Sequence, residues 1–331
     1  MDVSDGVSTT LRVTRRQAVA YRLRANNLTR RLPPRSYEQA ARYGLQDTGP
    51  RDALVGMHAR VEACEPDSWE HPSLIQTYSP RAAVYVLPLA DFGIFTVGRL
   101  PLAPDVRRAL DETAEAVCRE LAGREVRRNL PRGARDAAAS GRIAVRWTTS
   151  ALYAREVPRP DIDLDEARVE LCRRHIHAFG PTTPETFSWW AGVTPADGRE
   201  TWRLLAHELL PVDFDGLEAW ILAADEPLMR SSEPARAVRL LPASDLRLFG
   251  QDRTHHFVGP GLHRVSSLHD SFHPHGLLVN GEVAGVWSRR RGQVHVRLGR
   301  TLDRATLAAV EAEALALPIP GAQMSVDITD A

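Results

Sequence analysis

The sequence predicts an α+β protein made of three tandem winged-helix domains followed by a C-terminal β-rich domain. Three observations carry that expectation. Residues 165–226 read as three helices and a hairpin, a looser copy of the same order appears twice before them, and beyond Glu233 the texture changes to short apolar strands. At 331 residues the chain is also long for one core, since domains of roughly 100–150 residues are the common size. The expected boundaries are 1–100, 101–160, 161–230 and 231–331.

Taken in order, Val13-Thr14-Arg15-Arg16-Gln17 reads as the capped start of a first helix. Residues 37–43 supply a second and 50–61 a third, on which Leu54, Val55, Met57 and Val61 share one apolar face. Residues 82–89 and 94–97 then read as a hairpin across Asp91-Phe92-Gly93. In the middle unit, 106–122, 123–129 and 134–140 read as helices and 143–147 as a strand, and Val157-Pro158-Arg159-Pro160 as a linker. In the third unit Leu164-Asp165-Glu166 opens a helix that Gly180-Pro181 stops. Thr183-Pro184 and Thr194-Pro195 each start another, because a threonine cap followed by proline suits a first helical turn. Strands at 209–214 and 217–222 meet across Asp215-Gly216. Beyond Glu233, strands are expected at 239–242, 276–279, 283–287 and 294–298, with Asn280-Gly281 as the strongest hairpin signal, and a helix at 303–317 closes the domain.

Composition narrows the function classes. With 43% hydrophobic and 25% charged residues the chain is expected to be a soluble globular protein. The opening MDVSDGVSTTLRV lacks the basic and apolar regions of a secretory signal, and no 18-residue apolar run follows, so no membrane association and a cytoplasmic location are expected. Cys64, Cys118 and Cys172 lie far apart without a CxxC pair, which argues against a disulfide framework or a cysteine metal site. Net charge is zero, so any nucleic-acid binding must come from local clusters such as Arg15-Arg16, Arg30-Arg31, Arg127-Arg128 and Arg289-Arg290-Arg291. Every basic residue is arginine; with no lysine, no side-chain amine exists to form a Schiff base.

One stretch calls for a functional reading: Gln46, Asp47 and Thr48 stand before the helix at 50–61, polar residues where helix building requires none. In an extended backbone Gln46 and Thr48 point to one side and Asp47 to the other. Asp and Thr also cap helices routinely, so capping is the competing assignment for Asp47 and Thr48. A second concentration is histidine: six of the twelve, from His255 to His275, fall within 21 residues alongside Arg253 and Arg264. Neither Cys nor a Glu-x-x-His pattern accompanies them, so a metal site is not expected, and a DNA-facing loop or a solvated loop are the open readings. Of Trp189-Trp190, one is expected to face out, with Trp189 assigned to the core.

Several blocks resemble the winged-helix DNA glycosylase family of AlkZ and YcaQ. They are Gly44-Leu45-Gln46 leading into Pro50-Arg51-Asp52-Ala53-Leu54 and Ala59-Arg60-Val61, then Phe179-Gly180-Pro181-Thr182-Thr183 running into Trp189-Trp190-Ala191-Gly192. Leu240-Leu241-Pro242, Phe249-Gly250, Asp252-Arg253 and Val279 to Trp287 complete them. The resemblance implies a monofunctional DNA glycosylase that hydrolyses the N-glycosidic bond of bulky or N7-alkylated purines, working as a monomer on double-stranded DNA without a cofactor. It also implies that interstrand crosslinks are candidate substrates and genotoxin self-resistance a candidate role. The family's Gln-apolar-Gln or Gln-apolar-Asp motif falls on Gln46, Asp47 and Thr48, the implied catalytic residues. Gln46 matches; Asp47 replaces the apolar residue and Thr48 the second Gln or Asp. Arg51, Arg60, Arg253, His255, His256 and Arg264 are the expected DNA contacts. Because the second motif position is altered, a DNA-damage-binding or regulatory protein without catalysis stands as the alternative.

Overall fold

The structure, a computed structural model, describes residues 10–49, 51–148, 150–249 and 275–330. Strand β1 (Leu11–Val13) leads into α1 (Arg15–Ala25), which has the expected capped start: the Thr14 hydroxyl accepts from the Gln17 amide and the Gln17 side chain accepts from the Thr14 amide, a reciprocal capping box. Helix α2 (Tyr37–Ala40), strand β2 (Leu45–Gln46), helix α3 (Asp52–Arg60), and the antiparallel pair β3 (Leu74–Tyr78) and β4 (Val84–Pro88) follow. Residues 94–97, expected as a strand, lie instead in α4 (Phe92–Thr96) and the 3-10 turn after it. Phe92 and Phe95, three apart, both enter the core against Leu171 and Ile176, which a helix achieves and a strand does not.

Helix α5 (Pro104–Leu121) is the long helix expected there, whereas 123–129, read as a helix, turns and adds strand β5 (Val126–Arg127). Helix α6 (Arg132–Asp136) and strands β6 (Ile143–Trp147) and β7 (Leu152–Glu156) complete this region. The next stretch follows its expected order closely. Asp163, Thr183 and Thr194 cap α7 (Leu164–Phe179), α8 (Pro184–Ala191) and α9 (Pro195–Leu205), and β8 (Leu209–Phe214) pairs with β9 (Leu217–Leu222). After α10 (Glu226–Ser231) come β10 (Val238–Leu241), β11 (His275–Val279), β12 (Glu282–Arg290) and β13 (Gln293–Leu298). Val279 faces Glu282 across Asn280-Gly281, as that dipeptide predicts. Asp303 caps α11 (Arg304–Leu315), and β14 (Ser325–Thr329) ends the fold.

These strands form three sheets, ordered β1-β8-β9, β2-β4-β3-β6-β7-β5 and β10-β11-β12-β13-β14. Strand β1 runs parallel to β8, Leu11 facing Val212, so Leu11–Val13 is built into the hairpin near residue 210. The six-stranded sheet draws strands from both sides of the expected boundary at residue 100; β3 meets β6 at Gln76 and Val145, and the Gln76 side chain accepts from the Trp147 amide at 2.9 Å. Helix α3 joins these units. Val55 packs on the β10–β13 core, Leu54 and Met57 on Trp69 and Val86, and Ala59 on Leu23 and Leu278, so the helix is buried all round and not on one face only. Among the described residues no helix is long and apolar enough to cross a membrane.

Candidate active site

Strand β2 pairs with β4, Leu45 opposite Val86 and Gln46 opposite Tyr85, and the Asp47 amide continues the ladder to the Val84 carbonyl at 2.8 Å. Alternation along this extended run buries Leu45 and Asp47 and turns Gln46 and Thr48 outward. Gly44 permits the approach: its φ is +80°, and a Cβ there would meet the Tyr85 ring at 2.9 Å.

Asp47 is 1% exposed, and its Oδ1 accepts from the Ala53 amide at 3.0 Å, in the first turn of α3. Burial pushes its carboxyl up to about 7, against the Ala53 amide, which holds it down. Asp52 closes the same loop: Oδ2 accepts from the Gly49 amide, and Oδ1 meets His275 Nε2, both at 3.0 Å. The His275 ring stacks on Trp287 with centroids 4.6 Å apart. The carboxylate within the motif therefore anchors a helix and faces away from the outward pair.

Gln46 has the opposite environment. Its Oε1 accepts from Tyr85 Oη at 3.2 Å, Arg247 Nη1 at 3.0 Å and Arg81 Nη2 at 3.4 Å, and its Nε2 donates to Thr48 Oγ1. Three donors around one oxygen fix the amide orientation, because a flipped amide would point hydrogens at hydrogens. Arg81 sits in the β3–β4 connection at φ 57°, packed under Gly192, whose φ is +73° and where a Cβ would meet the Arg81 nitrogen at 2.8 Å. Trp190 is buried and Trp189 is 43% exposed, the reverse of the expectation, because Trp190 packs with Phe179 and His175 while Trp189 emerges beside the motif. The Arg81 and Arg247 guanidiniums lie 4.7 and 5.7 Å from the Trp189 ring centre.

Thr48 and Arg81 open onto a cleft of about 730 Å³ that Arg127, Arg128, Arg135 and Trp147 also line. Arg128 pairs with Glu120, and Arg127 is exposed. Of the expected DNA contacts, Arg51 reaches this neighbourhood: its guanidinium stacks 3.7 Å from the Trp69 ring centre and donates to the Trp147 carbonyl at 3.3 Å. Arg60 does not. It is 4% exposed and makes a bidentate pair with Asp245 at 2.7 and 3.1 Å, tying α3 to the turn after β10. Arg253, His255, His256 and Arg264 lie outside the described residues. Arg81, Tyr85 and Arg247 were not singled out from sequence; each reaches Gln46 through pairing or packing between distant segments, for which a single sequence carries no local sign.

Fold and site together define a class, an α+β protein with an immobilised side-chain amide at the edge of an arginine-lined cleft. The family model of AlkZ-like DNA glycosylases matches residues 40–318, and the chain belongs to that family. An interstrand DNA cross-link repair glycosylase of Streptomyces sahachiroi is 28% identical over 164 residues, 48% of this chain and 43% of that protein's length. The solved structure of Streptomyces sahachiroi DNA glycosylase AlkZ superposes with a TM-score of 0.75 at 21% identity, covering 96% of this chain and all of that one, which establishes a shared fold.

Proposed function

We propose that this chain is a monofunctional DNA glycosylase that hydrolyses the N-glycosidic bond of bulky or N7-alkylated purines in duplex DNA, interstrand crosslinks included. Its helices and hairpins are read as three winged-helix modules followed by the β-rich domain, with the duplex lying along the arginine-lined cleft. The observation that carries the reading is Gln46, the residue matching the family motif, held by four side chains at the cleft edge. An N7-alkylated purine leaves as a neutral base from a cationic precursor, so strong acid catalysis is unnecessary. What is needed is a water held against the anomeric carbon as an oxocarbenium-like transition state develops. An amide oxygen orients that water, and the Thr48 hydroxyl supplies a second polar contact without charge.

Asp47 faces away from the cleft, and this favours a second reading, a DNA-damage-binding protein that releases no base. One experiment separates them: single-turnover incubation with duplex containing N7-methylguanine, then alkali to reveal abasic sites, beside a no-enzyme control. Base release above the control supports the glycosylase; tight binding with release at the control rate supports the alternative. Gln46→Ala is expected to slow release by about 10²-fold with duplex affinity nearly unchanged, since the lost contact belongs to the transition state. Thr48→Asp is expected to raise the rate, because a carboxylate offsets oxocarbenium charge better than a hydroxyl. A normal rate for Gln46→Ala would remove this residue from catalysis.

A further inference from the structure

Two cations share the Gln46 oxygen. Arg81 Nη2 and Arg247 Nη1 both donate to Oε1, with Tyr85 Oη as a third donor, although an amide oxygen offers two lone pairs. In this arrangement no lone pair is left to orient an attacking water. Arg81 also donates to the Trp190 carbonyl at 3.2 Å, and neither arginine pairs with a carboxylate among the described residues. Burial lowers the Arg81 pKa, and the nearby Arg247 charge adds to that effect. The exposed Trp189 ring gathers both guanidiniums beside it. Two like charges drawn together beside a neutral acceptor call for an anion with at least two oxygens, and planar guanidinium forks suit phosphate. The chemistry makes the same demand, because uncompensated cations next to a carbon that is becoming positive would raise the barrier they are meant to lower.

We propose that Arg81 and Arg247 form a bracket for one phosphodiester of the strand being processed, and that seating this phosphate draws both guanidiniums off Gln46 Oε1, freeing it for water. The inference rests on the reading of the chain as a DNA glycosylase. Both arginines are then positioning residues, coupling correct seating of the strand to the readiness of the amide. Free protein keeps Gln46 occupied; bound duplex releases it.

Two measurements test the bracket. The first needs no catalysis: binding of undamaged duplex is followed against salt for wild type and the Arg81→Gln, Arg247→Gln double variant, with folding matched by thermal melting. Loss of one neutralised phosphate should lower the slope of log affinity against log salt by about 0.9. The Arg81→Lys, Arg247→Lys protein, which keeps the charges, should recover most of it. An unchanged slope, or no duplex binding by wild type at any ionic strength, overturns the bracket. The second uses wild-type protein and N7-methylguanine duplexes in which single phosphates flanking the lesion are replaced by neutral methylphosphonates. One position should slow single-turnover release at least 10-fold, and the same replacement should cost the double Gln variant nothing further. Equal rates at every position overturn the coupling. If wild type releases no base, the glycosylase reading falls while the salt slope still decides the bracket.

Discussion

Asp47 shows how one residue type serves two ends. Its carboxyl accepts from the Ala53 amide inside a desolvated loop, so it is raised to about 7 from the ordinary 3.8. A raised carboxyl favours its proton in the folded state. Stability is therefore fully present below about pH 4 and is lost as pH climbs towards 7, where the buried group ionises. Asp47→Asn keeps an acceptor for Ala53 and never ionises. Urea unfolding from pH 4 to pH 8 should show wild type losing roughly 2–4 kcal/mol relative to the variant. Parallel pH profiles would show that the buried carboxyl carries no such cost. At matched folded fraction, Asp47→Asn should excise base at the wild-type rate, because the group faces away from the cleft. This much was legible in the sequence: alternation put Gln46 and Thr48 on one side and Asp47 on the other, and Asp before a helix suggested a cap. The partners of Gln46 were not, since Tyr85 arrives by strand pairing and Arg247 by packing 201 residues away.

At the scale of elements, the clearest agreement is in residues 163–222, where caps, prolines and the Asp215-Gly216 turn each encode their own boundary. Agreement fails where local signals are ambiguous. The run at 94–97 is short and apolar, and periodicity over so few residues does not separate strand from buried helix. Strand β5 is two residues long and exists because β7 offers it an edge. The same logic reassigns Arg60. A basic residue at the end of a helix in a DNA-handling family suggests a phosphate contact, yet its pair with Asp245 and its bond to the Gly56 carbonyl make it a tie between α3 and the turn after β10. Arg60→Ala leaves a buried carboxylate unanswered, which costs about 3–5 kcal/mol in comparable pairs. Thermal melting should show that loss, while the salt slope of duplex binding stays that of wild type. A reduced slope with unchanged melting would return Arg60 to the DNA surface.

For the whole molecule, 42 arginines balance 42 acids, so attraction to DNA is a matter of where ion pairs are missing and not of net charge. Many arginines are already committed: Arg173 to Glu170 and Glu208, Arg174 to Asp91, Arg31 to Glu313. Those left without carboxylate partners among the described residues include Arg81 and Arg247, which meet at Gln46, and Arg127, which lines the cleft with Thr48 and Arg81. The all-arginine composition has one more consequence, and it concerns the fate of the DNA after base release. A glycosylase that also cuts the backbone commonly does so by attack of an amine on the sugar, giving an imine that borohydride reduces to a stable adduct. Guanidinium stays protonated at any working pH and cannot take that role. Without lysine, the α-amine is the one aliphatic amine of this sequence. Protein with a blocked N-terminus, incubated with damaged duplex and borohydride, should therefore give no covalent complex on a denaturing gel. Abasic sites should accumulate intact until alkali cleaves them. Efficient trapping by that blocked protein would mean that a nucleophile other than water opens the glycosidic bond, and the assignment of Gln46 as the residue orienting a water would fall with it.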